Sequence, residues 1–150
     1  MKVKHYSPNL NGNQTERQDE VICDDANIYV NGSSTLIIAN LISTGAVSIH
    51  CNSSSTIIID RITCDSLDLN NSYSSTIRLS GMDCQTMSIS VSYSSTLNIP
   101  SGTIGNLTGS VQWTSTVKNL AQVKNLDVWV DNPKDKAPIS HFFASSYYNQ

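Results

Sequence analysis

An internal repeat of roughly 20 residues constrains this chain more than any other feature. Starting at Ser53 it reads SSSTIIIDRITCDSLDLNNS, at Tyr73 YSSTIRLSGMDCQTMSISVS, at Tyr93 YSSTLNIPSGTIGNLTGSVQ and at Trp113 WTSTVKNLAQVKNLDVWV. An earlier copy, GSSTLIIANLISTGAVSIHC from Gly32 to Cys51, fits with one extra residue before the next, and VICDDANIYV (Val21 to Val30) reads as a partial leading coil. About five coils and a fragment therefore occupy residues 21–130, between a polar segment 1–20 and a tail 131–150. Helical repeats of roughly 33 to 45 residues do not fit so short a period.

Within each copy the apolar residues alternate. Ile57 and Ile59, Ile77 and Leu79, and Leu97 and Ile99 form one pair per copy; Val47 and Ile49, Leu67 and Leu69, Met87 and Ile89, and Leu126 and Val128 form another. A period of two marks a strand with one buried face. Between the pairs lie further inward candidates: Ile42, Ile62 with Cys64, Met82 with Cys84, and Ile104. Three short strands per copy, with Gly, Asn, Asp or Ser at the corners, predict an all-β parallel solenoid, or β-helix. The crossover rule makes it right-handed. Because each coil advances by about 4.8 Å, residues one period apart stack into ladders.

Composition agrees and excludes some functions. With 24 Ser, 12 Thr and 15 Asn, a third of the chain is small and polar, and only 14% is charged, which suits β-surfaces better than helix surfaces. A net charge of −3 does not mark a nucleic-acid binder. No run approaches the roughly 18 apolar residues of a membrane helix, and MKVKHYSPNL at the start lacks the apolar stretch of a signal peptide, so neither membrane insertion nor an export address is expected.

Any chemistry has to sit on the ladders. Thr35, Thr56, Thr76, Thr96 and Thr116 form one outward rank, and Ser33, Ser54, Ser74, Ser94 and Thr114 a second. Ser34, Ser55, Ser75, Ser95 and Ser115 point inward, near enough to a corner to bond backbone. Stacked hydroxyls stabilise a sheet by themselves. The outward ranks also resemble the lattice by which other solenoids bind ice, although Ile37, Ile58, Arg78, Asn98 and Lys118 in the next rank interrupt a flat face. Tyr73, Tyr93 and Trp113 stack at a corner, either as structural support or as a platform for a glycan.

Catalysis and metals find little support. His5, His50 and His141 have no nucleophile partner at any recognisable spacing, and Asp60, Asp65, Asp68 and Asp83 are scattered over turn positions, so no enzyme and no cofactor are expected. Cys64 and Cys84, one period apart, read as two stacked buried thiols, with Cys23 and Cys51 on other edges; no CxxC or Cys/His spacing suggests zinc.

A solenoid exposes a strand edge and a core cross-section at each end. Residues 1–20 carry no strand pattern that would make a cap. Beyond Asn132-Pro133 and Pro138 the tail presents Phe142, Phe143, Tyr147 and Tyr148, which either fold over the last coil or dock on another subunit.

The cycle S-S-T-[IL]-x-[IL], a turn, then CDSLDL or CQTMSI resembles the repeats of the bacterial auto-transporter adhesin head (GIN) domain over residues 21–130. That family's corners are Gly-rich, whereas these are Ser-Ser-Thr with aromatics. In layout and size the chain is also similar to bactofilins, polymerising solenoids whose Gly- and Val-dominated repeats match less well. The resemblance implies a β-solenoid with an adhesive or structural role, no catalytic residues and a place at the cell surface; without it, a cytoplasmic or particle-bound location fits equally. The expected function is a non-enzymatic building block for an adhesin, filament, particle or lattice, partnered by itself as homo-oligomer or polymer. Its alternative is a binding face for glycan or ice.

Overall fold

The computed structural model describes residues 1–112, 115–118, 122–132 and 135–138, with backbone alone for 129–132 and 135–138. Among the described residues fifteen strands build one sheet: β1 (His5–Tyr6), β2 (Asn9–Leu10), β3 (Thr15–Cys23), β4 (Asp25–Val30), β5 (Thr35–Ser43), β6 (Ala46–Cys51), β7 (Thr56–Ile59), β8 (Ile62–Asn71), β9 (Thr76–Leu79), β10 (Met82–Val91), β11 (Thr96–Asn98), β12 (Gly102–Gln112), β13 (Thr116–Lys118), β14 (Gln122–Asn132) and β15 (Asp135–Pro138). Every pairing among them is parallel except β14 with β15. The result is a β-solenoid of about six turns, as the repeat predicts.

Each turn has three strand segments. On the first, β5, β7, β9, β11 and β13 stack in the register Thr35, Thr56, Thr76, Thr96, Thr116, which places Leu36, Ile57, Ile77, Leu97 and Val117 over one another inside. All five of those side chains are 0% exposed. From β8 onward the second and third segments run through one long strand each (β8, β10, β12, β14), whereas in the two earlier coils the second segment is the end of β3 and of β5 and the third is β4 and β6. On the third segment Val47, Leu67, Met87, Leu107 and Leu126 form one inner ladder. Parallel stacking brings like side chains to the same depth, so the core is a bundle of aliphatic columns.

The extra residue, expected between Cys51 and Ser53, lies instead inside the Gly32–Cys51 copy, at Thr44 and Gly45. Cys23 pairs with Ser43, yet Ala26 pairs with Val47, so the later coil spends one more residue on this corner than the earlier one does. The Ser43 hydroxyl secures the wider corner by donating to the Asp24 carbonyl (2.9 Å) and accepting from the Gly45 N–H (3.3 Å).

The corners that precede the first segment carry pairs of residues with left-handed backbone. Gly12 and Asn13, Ser53 and Ser54, Tyr73 and Ser74, and Tyr93 and Ser94 all have φ between 55° and 74°, as do Gly32 and Ser33. For a residue with a Cβ this costs ~1–2 kcal/mol. Hydrogen bonds between coils help offset it: the Ser54 N–H donates to the Tyr73 carbonyl (3.0 Å) and the Ser74 N–H to the Tyr93 carbonyl (2.9 Å).

The next residue is the inward serine, and its expected bond to backbone is present. Ser34 N–H donates to Ser55 Oγ, Ser55 N–H to Ser75 Oγ, Ser75 N–H to Ser95 Oγ and Ser95 N–H to Ser115 Oγ, at 3.2–3.3 Å. Each hydroxyl takes up an N–H that the corner geometry leaves without a carbonyl. Ser75→Ala should therefore cost about 1–3 kcal/mol, the penalty for one buried unpaired N–H. Thr76→Ala, on the exposed rank, should change stability by no more than ~0.5 kcal/mol. Urea unfolding of the two variants measures the difference, and equal midpoints would remove the serine ladder from the stability argument.

Three further expectations need correction. Residues 1–20 contribute β1, β2 and most of β3: His5 and Tyr6 pair with Asp25 and Ala26, Asn9 and Leu10 with Tyr29 and Val30, and Thr15 stacks on Thr35. Polar residues at strand positions hid this. Glu16 and Gln18 occupy inward positions that are Leu36 and Ile38 one coil later, so no apolar alternation marks the strand. Ile42 is not in the buried core: it pairs with Thr63, and its neighbours Leu41 and Ser43 point in. Cys23 shares the inner column of Ser43, below Cys64 and Cys84, and is not on another edge.

Candidate functional site

The Thr ladder runs as expected and gains a member at its start, Thr15, Thr35, Thr56, Thr76, Thr96 and Thr116 in consecutive register. Its neighbouring outward rank is Arg17, Ile37, Ile58, Arg78, Asn98 and Lys118. Three cations, two isoleucines and an amide make an uneven surface, unlike a repeated lattice.

Tyr73 and Tyr93 stack one coil apart, with ring centroids 4.6 Å apart and planes within 4°. They are 55% and 44% exposed. Each ring covers part of its neighbour's face, so the solvent side of the stack is rich in ring edges and hydroxyls. The contact gives the left-handed corner a favourable partner, on the order of 0.5–1.5 kcal/mol for an aromatic pair. Trp113, expected to extend this stack, lies outside the described residues, as do Thr114, His141, Phe142, Phe143, Tyr147 and Tyr148.

A second aromatic pair escaped the sequence reading. Tyr29 and His50 stack at 4.5 Å and 9°, on adjacent coils of the third segment. Ser48 Oγ lies 3.2 Å from His50 Nε2 and orients the ring. The signal was present, because the two residues are one coil apart once the extra residue is counted. The ranks beside this pair line a shallow groove of about 770 Å³ across five coils, with Asn27, Ser48, Asp68, Ser88 and Thr108 along its length. At its N-terminal end His5 Nδ1 lies 2.8 Å from Asp25 Oδ1.

The four cysteines are free and buried. Cys64 Sγ donates to Cys84 Sγ at 3.6 Å, and Cys84 Sγ lies 2.9 Å from the Thr86 carbonyl. The bond to Cys84, together with burial, holds the Cys64 thiol far above its ordinary pKa, while the same bond favours the thiolate on Cys84. Burial pushes the Cys51 thiol up to about 12. Cys51 and Asn71 share a column with Val30 and Val91. There the buried Asn71 donates from Nδ2 to the Thr96 carbonyl at 2.7 Å. Among the described residues no group of three His, Cys, Asp or Glu is placed to hold a metal ion.

The two ends of the solenoid differ. At the start, Met1 N donates to the Glu20 carbonyl (2.9 Å), Val3 N to the Ile22 carbonyl (3.0 Å) and Asp24 N to the Lys4 carbonyl (3.0 Å), which closes part of the β3 edge. The Tyr6 hydroxyl donates to Glu16 Oε2 at 3.0 Å, and burial with this bond raises the phenol above its ordinary range. At the finish, β15 turns back on β14 in antiparallel register, Trp129 to Pro138 and Asn132 to Asp135. No described strand pairs with the outer side of β13 or of residues 122–128 in β14.

A family model described as "Putative auto-transporter adhesin, head GIN domain" matches residues 8–129. No curated protein and no solved structure matches the chain.

Proposed function

Since the chain belongs to the auto-transporter adhesin head GIN domain family, we propose that it is an adhesin-like structural building block that associates with copies of itself. Family and fold fit a non-enzymatic, structural or adhesin-like role. The observation that carries self-association is the open C-terminal edge, β13 and residues 122–128 of β14, whose outer side meets no described strand. Strand edges of this kind are templates for pairing with another chain. Phe142, Phe143, Tyr147 and Tyr148 follow this edge in sequence and supply apolar surface for the contact.

Light scattering across a range of concentrations tests the reading. The full chain should run above its 16.3 kDa monomer mass, and a chain ending at residue 138, which keeps β15, should run as the monomer. A full chain at 16.3 kDa at every concentration would overturn self-association.

The exposed Tyr73 and Tyr93 stack supports a second reading, in which the lateral surface with Thr56, Thr76, Thr96 and Thr116 binds a glycan. Under it, binding on a glycan array is lost in Tyr93→Ala while mass in solution is unchanged.

A further inference from the structure

The inference rests on the self-association reading and specifies its geometry. Stacking solenoids end to end places the last coil of one copy on the first coil of the next, and the two ends of this molecule do not match for such a contact. In the first complete coil, the inward position held elsewhere by Leu36, Ile57, Ile77, Leu97 and Val117 is taken by Glu16, and the position of Ile38, Ile59 and Leu79 by Gln18. Arg17, Asp19 and Glu20 stand exposed on the same strand. A copy stacked there would press the Glu16 carboxylate, held by the neutral Tyr6 hydroxyl, and the Gln18 amide against an aliphatic cross-section. Burying a carboxylate without a cation costs several kcal/mol. Inward-pointing charges are a recognised means of blocking an edge.

The C-terminal end has no such block among the described residues. Val117 and Val128 are fully buried there, Val123 and Leu126 are partly buried against the core, and Lys118, Lys124 and Asp127 face outward. The antiparallel β15 pairs with the continuation of this edge, residues 129–132 of β14. When two copies bring the same edge together about a two-fold axis, their strands necessarily run antiparallel. One end carries polar side chains at the inward positions of its first segment, and the edge of the other meets no described strand along β13 and residues 122–128.

We propose that the partner is a second copy of this chain, joined C-terminal end to C-terminal end about a two-fold axis, and that the polar first coil stops assembly at two. The occupant follows from the edge: its backbone groups, paired with no described strand, call for a strand, and its apolar cross-section meets an equally apolar cross-section in an identical chain. The N-terminal coils then point away from the junction, leaving the lateral ladders of both copies free.

Light scattering combined with site-directed cross-linking tests this on the full chain. The wild type should reach twice 16.3 kDa and stay there as concentration rises. The double variant Glu16→Leu, Gln18→Ile should grow into larger species, because its first segment then continues the aliphatic columns of the later coils. With a short bis-maleimide, Lys124→Cys should give a covalent dimer and Arg17→Cys should not. Wild-type filaments would overturn the sealed-end inference while leaving self-association in place. A double variant that remains a dimer, or cross-linking through position 17 in place of 124, would overturn it as well. A wild-type monomer at every concentration would remove the self-association reading itself, and would mean that residues 139–150 or another segment of the same chain occupy the edge.

Discussion

Replacing Leu67 by Asp should abolish the native fold. Leu67 is 2% exposed and sits in register between Val47 below and Met87 above, at the middle of an inner column. A carboxylate there meets aliphatic neighbours on both adjacent coils and has no cation within its column. Burying an unpaired charge, together with the lost leucine, is a change of the class that costs more than ~4–5 kcal/mol. Total stability for a domain is only about 5–15 kcal/mol. Because neighbouring coils supply each other's core, the loss spreads in both directions along the solenoid. Circular dichroism of Leu67→Asp should show loss of the β spectrum at room temperature. Asp68→Leu, one residue away on the exposed side, should melt close to the wild type. A native spectrum and melting point for Leu67→Asp would mean that the strand registers are wrong.

What could be read from the sequence was decided by repetition. Wherever consecutive copies keep an apolar residue at the same offset, as with Ile57, Ile77 and Leu97, the period alone locates the column and its direction. The inward serines were legible for the same reason. The first coil was not, because a terminal coil answers to a different requirement: its outer side meets water, so Glu16 and Gln18 replace aliphatic residues and the alternation that signals a strand disappears. Cys23 was misplaced as a consequence, since its column could be followed only after the first coil was recognised. Ile42 was misjudged by one residue, which in a strand reverses the face. Nothing in its own copy corrects that; the pairing of Leu41 with Ile62 does.

The corners show how composition can mislead about backbone. Ser-Ser-Thr with aromatics looked like a departure from a Gly-rich family pattern, yet the backbone at Ser53, Tyr73 and Tyr93 is the one that Gly12 and Gly32 adopt in the earlier corners. The later copies keep the turn and offset its strain with bonds between coils and, at Tyr73 and Tyr93, with the ring stack. The candidate surfaces were legible only in part. Same-type residues one regular period apart stood out, whereas Tyr29 with His50 joins unlike residues across an irregular coil.

Gly109→Ala is the second change expected to have a large effect, and its sign runs against simple pattern matching. Gly109 lies in the column that holds Ile49, Leu69, Ile89 and Val128, so a sequence pattern alone would have an added methyl fill a gap. The backbone says otherwise. At Gly109 φ is +133°, a conformation L side chains rarely adopt, and a Cβ there would overlap the Ile89 carbonyl oxygen and lie 2.8 Å from the Ile89 nitrogen. Those contacts are backbone in the adjacent coil, so neither atom can swing away as a side chain would. Strained backbone and overlap together should cost about 3 kcal/mol or more. Gly12 separates the two causes, because it has φ +74° with nothing within 4 Å of an added Cβ. Gly12→Ala should therefore show the conformational cost alone, about 1–2 kcal/mol. Urea midpoints for both variants measure the difference. If Gly109→Ala proved as stable as the wild type, the fifth coil would be a regular copy of its neighbours, and its glycine would be an accident of sequence with no structural duty.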